Sequence, residues 1–147
     1  MPYQSRLAGV LFQRKYNEEE AERAFLTAKN ILLSEQEKLR LLQNKFHATL
    51  DDLTIIEERG GASDEIALYF RYIEMLQGVV DKQITAIVRQ EEICEVKRVQ
   101  LTTAVQERKA VETIEEKRKT DYKNAAAKKE QIVLDEIGGQ LKMRNHA

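Results

Sequence analysis

Apolar side chains recur along this chain at the spacing of a helix seam, not of a strand. Phe25, Leu32, Leu39, Phe46 and Leu53 stand seven residues apart, and Ala21, Ala28, Glu35, Leu42, Thr49 and Ile56 form a second series offset by three and four. These are a and d positions of a heptad repeat. The register reaches back to Leu7 and Leu11 but meets Arg14 and Glu18 on the way, which weakens the seam there. A second run carries Ile66, Tyr69, Ile73, Leu76, Val80, Gln83, Ile87, Gln90, Cys94, Lys97, Leu101, Ala104, Arg108 and Val111 in the same rhythm. Its apolar character is strongest at its beginning.

The two runs are separated by Arg59-Gly60-Gly61-Ala62-Ser63. Gly60 suits the positive φ of a helix end, Ser63 is a capping residue for a new helix, and Asp64 and Glu65 suit the positive end of its dipole. The pattern therefore predicts an all-α fold: a long antiparallel two-helix coiled-coil hairpin with helices over about 4–58 and 64–137 and a bend over about 59–63. The short connection puts each stripe within reach of the other. Folding back near Gly61 sets Leu32 near Gln90 and Leu7 near Glu115. Residues beyond about Arg118 then have no opposite strand and form a single-helix carboxy-terminal overhang. Gly138-Gly139 predicts a flexible tail over 138–147, within one coiled-coil domain spanning 1–147.

Composition narrows the picture. Ala, Leu, Glu, Lys and Arg make up about half of the 147 residues, and one Pro, six Gly and no Trp leave little turn chemistry for a sheet protein. Basic and acidic residues nearly cancel, at 24 against 25, so no overall charge points to nucleic acid. One cysteine excludes an internal disulfide and, with only His47 and His146 to add, leaves no metal-ligand spacing. No signal peptide or membrane span is legible, which predicts a cytoplasmic protein. A hairpin offers no enclosed pocket for a nucleophile, so no enzyme, cofactor or small-molecule substrate is expected. Cys94 reads as a small core residue and His47 as solvated.

Two local features stand out. Leu68, Tyr72, Met75 and Val79 form a second stripe beside the seam, which one partner helix cannot cover unless Leu50 and Leu53 wrap over it. If exposed, it is a docking patch. From Lys117 to Lys129 the chain carries Lys117, Arg118, Lys119, Lys123, Lys128 and Lys129 against Asp121 alone, a local excess of five positive charges. With Ala125-Ala126-Ala127 inside it, this is either a solvated helix balanced by Glu112, Glu115 and Glu116, or a slender basic rod that docks on an acidic partner.

The order of these features resembles a known family. Tyr3, Leu7, Val10-Leu11, Arg14, Glu19-Glu20 and Ala21, the bend near residue 60, the Tyr69–Leu76 cluster, Lys128-Lys129-Glu130 and Asp135-Glu136-Ile137 look like the FliJ family of flagellar type III export. The resemblance covers nearly the whole chain. It implies a non-enzymatic stalk that binds the hexameric export ATPase (FliI) and the membrane-embedded export gate (FlhA), couples ATP hydrolysis to export of flagellar subunits, and interacts with export chaperones. By position it implies Tyr69, Tyr72, Ile73 and Leu76 as the gate-contacting surface; Tyr72 and Arg71 stand where many relatives carry Phe and Gln. Leu7, Val10 and Leu11 beside Lys117, Arg118, Lys119, Lys123, Lys128 and Lys129 would form the ATPase-binding end. The implied location is the cytoplasmic side of the inner membrane, peripherally at the flagellar base. The equivalent stalk of a virulence injectisome is the nearest alternative. A prefoldin-type chaperone, which needs strands at the bend, and a self-associating scaffold are the others.

Overall fold

The computed structural model describes residues 2–146. Two helices account for nearly all of them, α1 over Ala8–Glu58 and α2 over Ser63–His146, and no strand occurs among the described residues. The fold is the all-α hairpin that the heptads predict. A prefoldin-type body has no strands here to be built from.

The helix ends differ from the sequence reading in three places, each with a local cause. α1 begins at Ala8 rather than near residue 4, because the Ser5 hydroxyl accepts the Leu7 amide at 3.2 Å, a local bond that competes with helical pairing. Ala62, not Ser63, stands before the first turn of α2: its carbonyl accepts the Ile66 amide at 3.1 Å, and Ser63 is already helical. At the other end, α2 continues through Gly138-Gly139 to His146 instead of stopping near residue 137. Glycine disfavours a helix interior by about 1 kcal/mol relative to alanine, which a run of good helix formers on either side can outweigh.

The bend needs both of its glycines. The Gly61 amide donates to the Ile56 carbonyl at 3.0 Å and the Gly60 amide to that of Glu57 at 3.1 Å, the paired bonds of a Schellman ending. Gly60 has φ of 70°, left-handed backbone that a side chain disfavours. A Cβ at Gly61 would lie 2.5 Å from the Ile56 Cγ2 methyl and 3.2 Å from its carbonyl oxygen.

The chain divides into two compact units. The bend unit, Glu20–Thr102, holds the apolar seam: Ala28, Leu53, Leu76, Ile87 and Cys94 are buried, as is Thr49, with the other a and d side chains half-buried between them. Polar seam residues are satisfied. Gln83 Nε2 donates to the Glu35 carbonyl at 2.8 Å and to its carboxylate at 2.6 Å, and Gln90 Nε2 donates to the Ala28 carbonyl at 3.0 Å. That carbonyl is the one the Leu32 amide bonds within α1, so Gln90 sits beside Leu32, its expected neighbour. Buried Thr49 donates to its own helix at the Lys45 carbonyl.

The terminal unit comprises the residues up to Glu19 and those from Thr103 onward. Among its described residues only Ala104 is a buried apolar residue. Charge takes over the seam: Arg108 Nε reaches Glu18 at 2.6 Å and its Nη1 reaches Glu112 at 2.7 Å, while Arg14 pairs with Glu107 at 2.7 Å. From Glu116 to Asn145 every residue is exposed.

Candidate interaction surfaces

The first surface lies in the bend unit. The heptad turns Ile66, Tyr69, Ile73 and Leu76 toward α1, and Leu76 is only 3% exposed. Of the four residues implied as gate contacts, then, Leu76 is enclosed by the seam, Tyr69 and Ile73 are half-buried in it, and Tyr72 sits half-buried at its edge. The stripe one position to the side is the open one: Leu68 is 64% exposed, Met75 54% and Val79 40%. Leu50, half-buried, leaves these three in water. Leu53 is spent on the seam itself, at 5% exposed.

Tyr72 is held where both helices meet. A cavity of about 430 Å³ is lined by Thr49 and Asp52 of α1 and by Leu68, Tyr69 and Tyr72 of α2. Lys45 Nζ lies 5.8 Å from the centre of the Tyr72 ring, a cation–π contact that fixes the ring at the rim. The sequence reading missed the α1 contributors Lys45, Thr49 and Asp52. The signal that finds them is their pairing across the bend with residues 68–72.

The second surface belongs to the terminal unit. Leu7 and Leu11 are half-buried against it and Val10 is exposed, and Lys117, Arg118, Lys119, Lys123, Lys128 and Lys129 are all exposed along α2. Tyr3 tilts against Tyr122 with ring centres 5.4 Å apart, a contact that sequence reading did not pair. Burial pushes the Tyr3 hydroxyl above its ordinary pKa, helped by its hydrogen bond to the Glu115 carboxylate. Oε2 of that carboxylate is buried without a hydrogen-bond partner among the described residues. Next along the helix, Tyr122, Ala125, Ala126 and Lys129 enclose an open hollow of about 450 Å³.

Among the described residues no group of three or more His, Cys, Asp and Glu side chains can hold a metal ion, and Cys94 is buried. Glu35 is held below the usual carboxylate range by its Gln83 hydrogen bond and then by Lys38, and Arg108 is raised mainly by Glu18. These are structural pairings within the seam. No helix among the described residues is long and apolar enough to cross a membrane.

A search of curated proteins gave no match. Among solved structures, a protein of Chlamydia trachomatis described as a YscO homolog, CT670, is similar in fold, with a TM-score of 0.62 over 97% of this chain and 96% of that one at 23% identity. The model of the flagellar FliJ protein family matches residues 3–147, a span that takes in the heptads, the double-glycine bend and the overhang. The chain belongs to the FliJ family, whose members are structural components of type III export.

Proposed function

We propose that this protein is the coupling stalk of a flagellar type III export apparatus. It performs no reaction, and its work is to hold two partners. The bend unit offers the Leu68, Tyr72, Met75 and Val79 stripe, with Tyr69 and Ile73 behind it, to the export gate. Leu76 supports that stripe from within the seam and touches the partner only through its neighbours. The terminal unit offers Val10 and the basic residues Lys117 to Lys129 to the hexameric ATPase, whose ATP hydrolysis is the energy source. Export chaperones are further partners, and attachment to the membrane base is peripheral, through the gate.

The observation that carries this reading is the apolar and aromatic stripe left open beside a seam that is already closed. A monomer rarely leaves such a continuous apolar strip to water unless something docks there. Tyr72→Ala lowers gate affinity about tenfold or more while helix content stays unchanged. Reversing Lys117, Arg118 and Lys119 to Glu weakens ATPase binding and removes much of its salt dependence. Unchanged binding in both assays overturns the assignment of surfaces.

The likeness to the protein described as a YscO homolog favours one second reading, the equivalent stalk of an injectisome. Capture of the chain by a flagellar ATPase but not by an injectisome ATPase decides between them.

A further inference from the structure

The seam of α2 does not stop where α1 does. Tyr122, Ala125, Lys129, Ile132, Glu136 and Gly139 keep the three-and-four spacing through an exposed segment. The hollow bounded by Tyr122, Ala125, Ala126 and Lys129 consists of residues at i, i+3, i+4 and i+7, the four that receive one side chain from a facing helix in a coiled coil.

The flanking positions say what that helix is. Asp121, Lys128, Asp135 and Lys142 follow one another every seven residues with alternating sign along one side of the seam. We propose that the overhang pairs with the same segment of a second copy, antiparallel, about a two-fold axis between Glu130 and Gln131. In an antiparallel pair these flanking positions face their own kind. This axis therefore sets Lys128 against Asp135 of the second copy and Asp121 against its Lys142, each pairing occurring twice by symmetry. A parallel pair would set the same charges against Ala126, Val133 and Gln140 and satisfy none of them.

The seam agrees with that register. Ala125 falls opposite Glu136 of the second copy and Lys129 opposite its Ile132, so each charged side chain lays its stem along a small or apolar one and keeps its head at the edge; Tyr122, beside the Tyr3 ring of its own chain, lies at the end of the paired segment. Ala126 falls beside Val133. Lys129 and Glu136 stand one turn apart across the axis, within reach of each other. The chain already closes a seam in this manner within the terminal unit, where Arg108 on α2 pairs with Glu18 on α1. Leu134, Ile137 and Leu141 stay on the outer face of the pair.

With few apolar layers and many exposed charges the association is weak and falls with salt. It covers Lys128 and Lys129. If the ATPase reading above holds, pairing and ATPase docking exclude one another, but the pairing itself does not depend on that reading.

Sedimentation of the full chain from about 1 µM to 1 mM, without any partner, tests it. A monomer–dimer equilibrium is expected. Lys128→Glu alone and Asp135→Lys alone each raise the dissociation constant about tenfold or more, since each disturbs both symmetry-related pairs; the double variant recovers it. Ile137→Ser leaves it unchanged. Far-ultraviolet circular dichroism of each variant confirms that helix content is kept. A monomer at every concentration, a dimer indifferent to both reversals, or a dimer lost with Ile137→Ser overturns the proposal. So does a dimer lost with Met75→Ser, which would place the contact on the bend unit. ATPase binding that fails while the dimer behaves as stated removes only the proposed function.

Discussion

The two units solve the same packing problem with different chemistry. In the bend unit the seam closes on Leu53, Leu76, Ile87 and Cys94, and its polar members Gln83 and Gln90 donate to backbone carbonyls of the opposite helix. In the terminal unit Ala104 is the only buried apolar residue among those described, and the helices are held by Arg14–Glu107, Arg108–Glu18 and the Tyr3 contacts. Apolar burial is insensitive to salt and costly to undo, whereas partly exposed ion pairs exchange readily with water. A seam of the first kind keeps the open apolar stripe beside it in fixed register. One of the second kind leaves a helix end that a partner can displace or extend.

The largest effect expected from this contrast is Leu76→Ala, which deletes the most enclosed large side chain and costs about 3 kcal/mol in urea unfolding followed by circular dichroism. A loss under 1 kcal/mol would mean that the bend unit is not the apolar anchor. Next come the bend glycines. Gly60→Ala forces a side chain into left-handed backbone and costs about 1–2 kcal/mol, and Gly61→Ala meets the Ile56 methyl and costs a comparable amount.

Smaller and more local is Arg108→Ala. Amide exchange over residues 8–19 accelerates while that around Leu76 and Ile87 does not change; equal acceleration in both would erase the distinction between the units. The pH limits separate them further. Glu35 has a lowered folded pKa, so its contribution to the bend unit is present above its ordinary 4.5 and is lost as pH falls through the lower folded value. Tyr3 has a raised folded pKa, so its contribution to the terminal unit is present below 10.0 and is lost as pH rises through the higher folded value. Exchange rates measured at acid and at alkaline pH check this crossing. The smallest effect on stability is that of Tyr72→Ala, within about 0.5 kcal/mol, because the ring sits at the seam's rim.

Much of this was legible in the residue order, and the reason is geometric. A heptad is read in one dimension: each a and d residue from Ala21 to Val111 is buried or half-buried, since periodicity alone decides which side of a helix faces its partner. The bend was equally plain in Gly60-Gly61, because few other residues satisfy that backbone. Helix ends were less legible. Ser5 stops α1 at Ala8 through a side-chain bond that competes with the helix, and Gly138-Gly139 does not stop α2 because two weak residues are carried by their neighbours.

Periodicity by itself fixed the fold class, the seam and the basic overhang, for these depend only on spacing and residue type. It could not decide whether the stripe beside the seam was covered, nor that Leu76 lay beneath it while Leu68, Met75 and Val79 stayed in water. Nor could it bring Lys45, Thr49 and Asp52 to Tyr72, or Tyr3 to Tyr122. Those are pairings between residues far apart along the chain, and they exist only once the second helix has taken its register on the first.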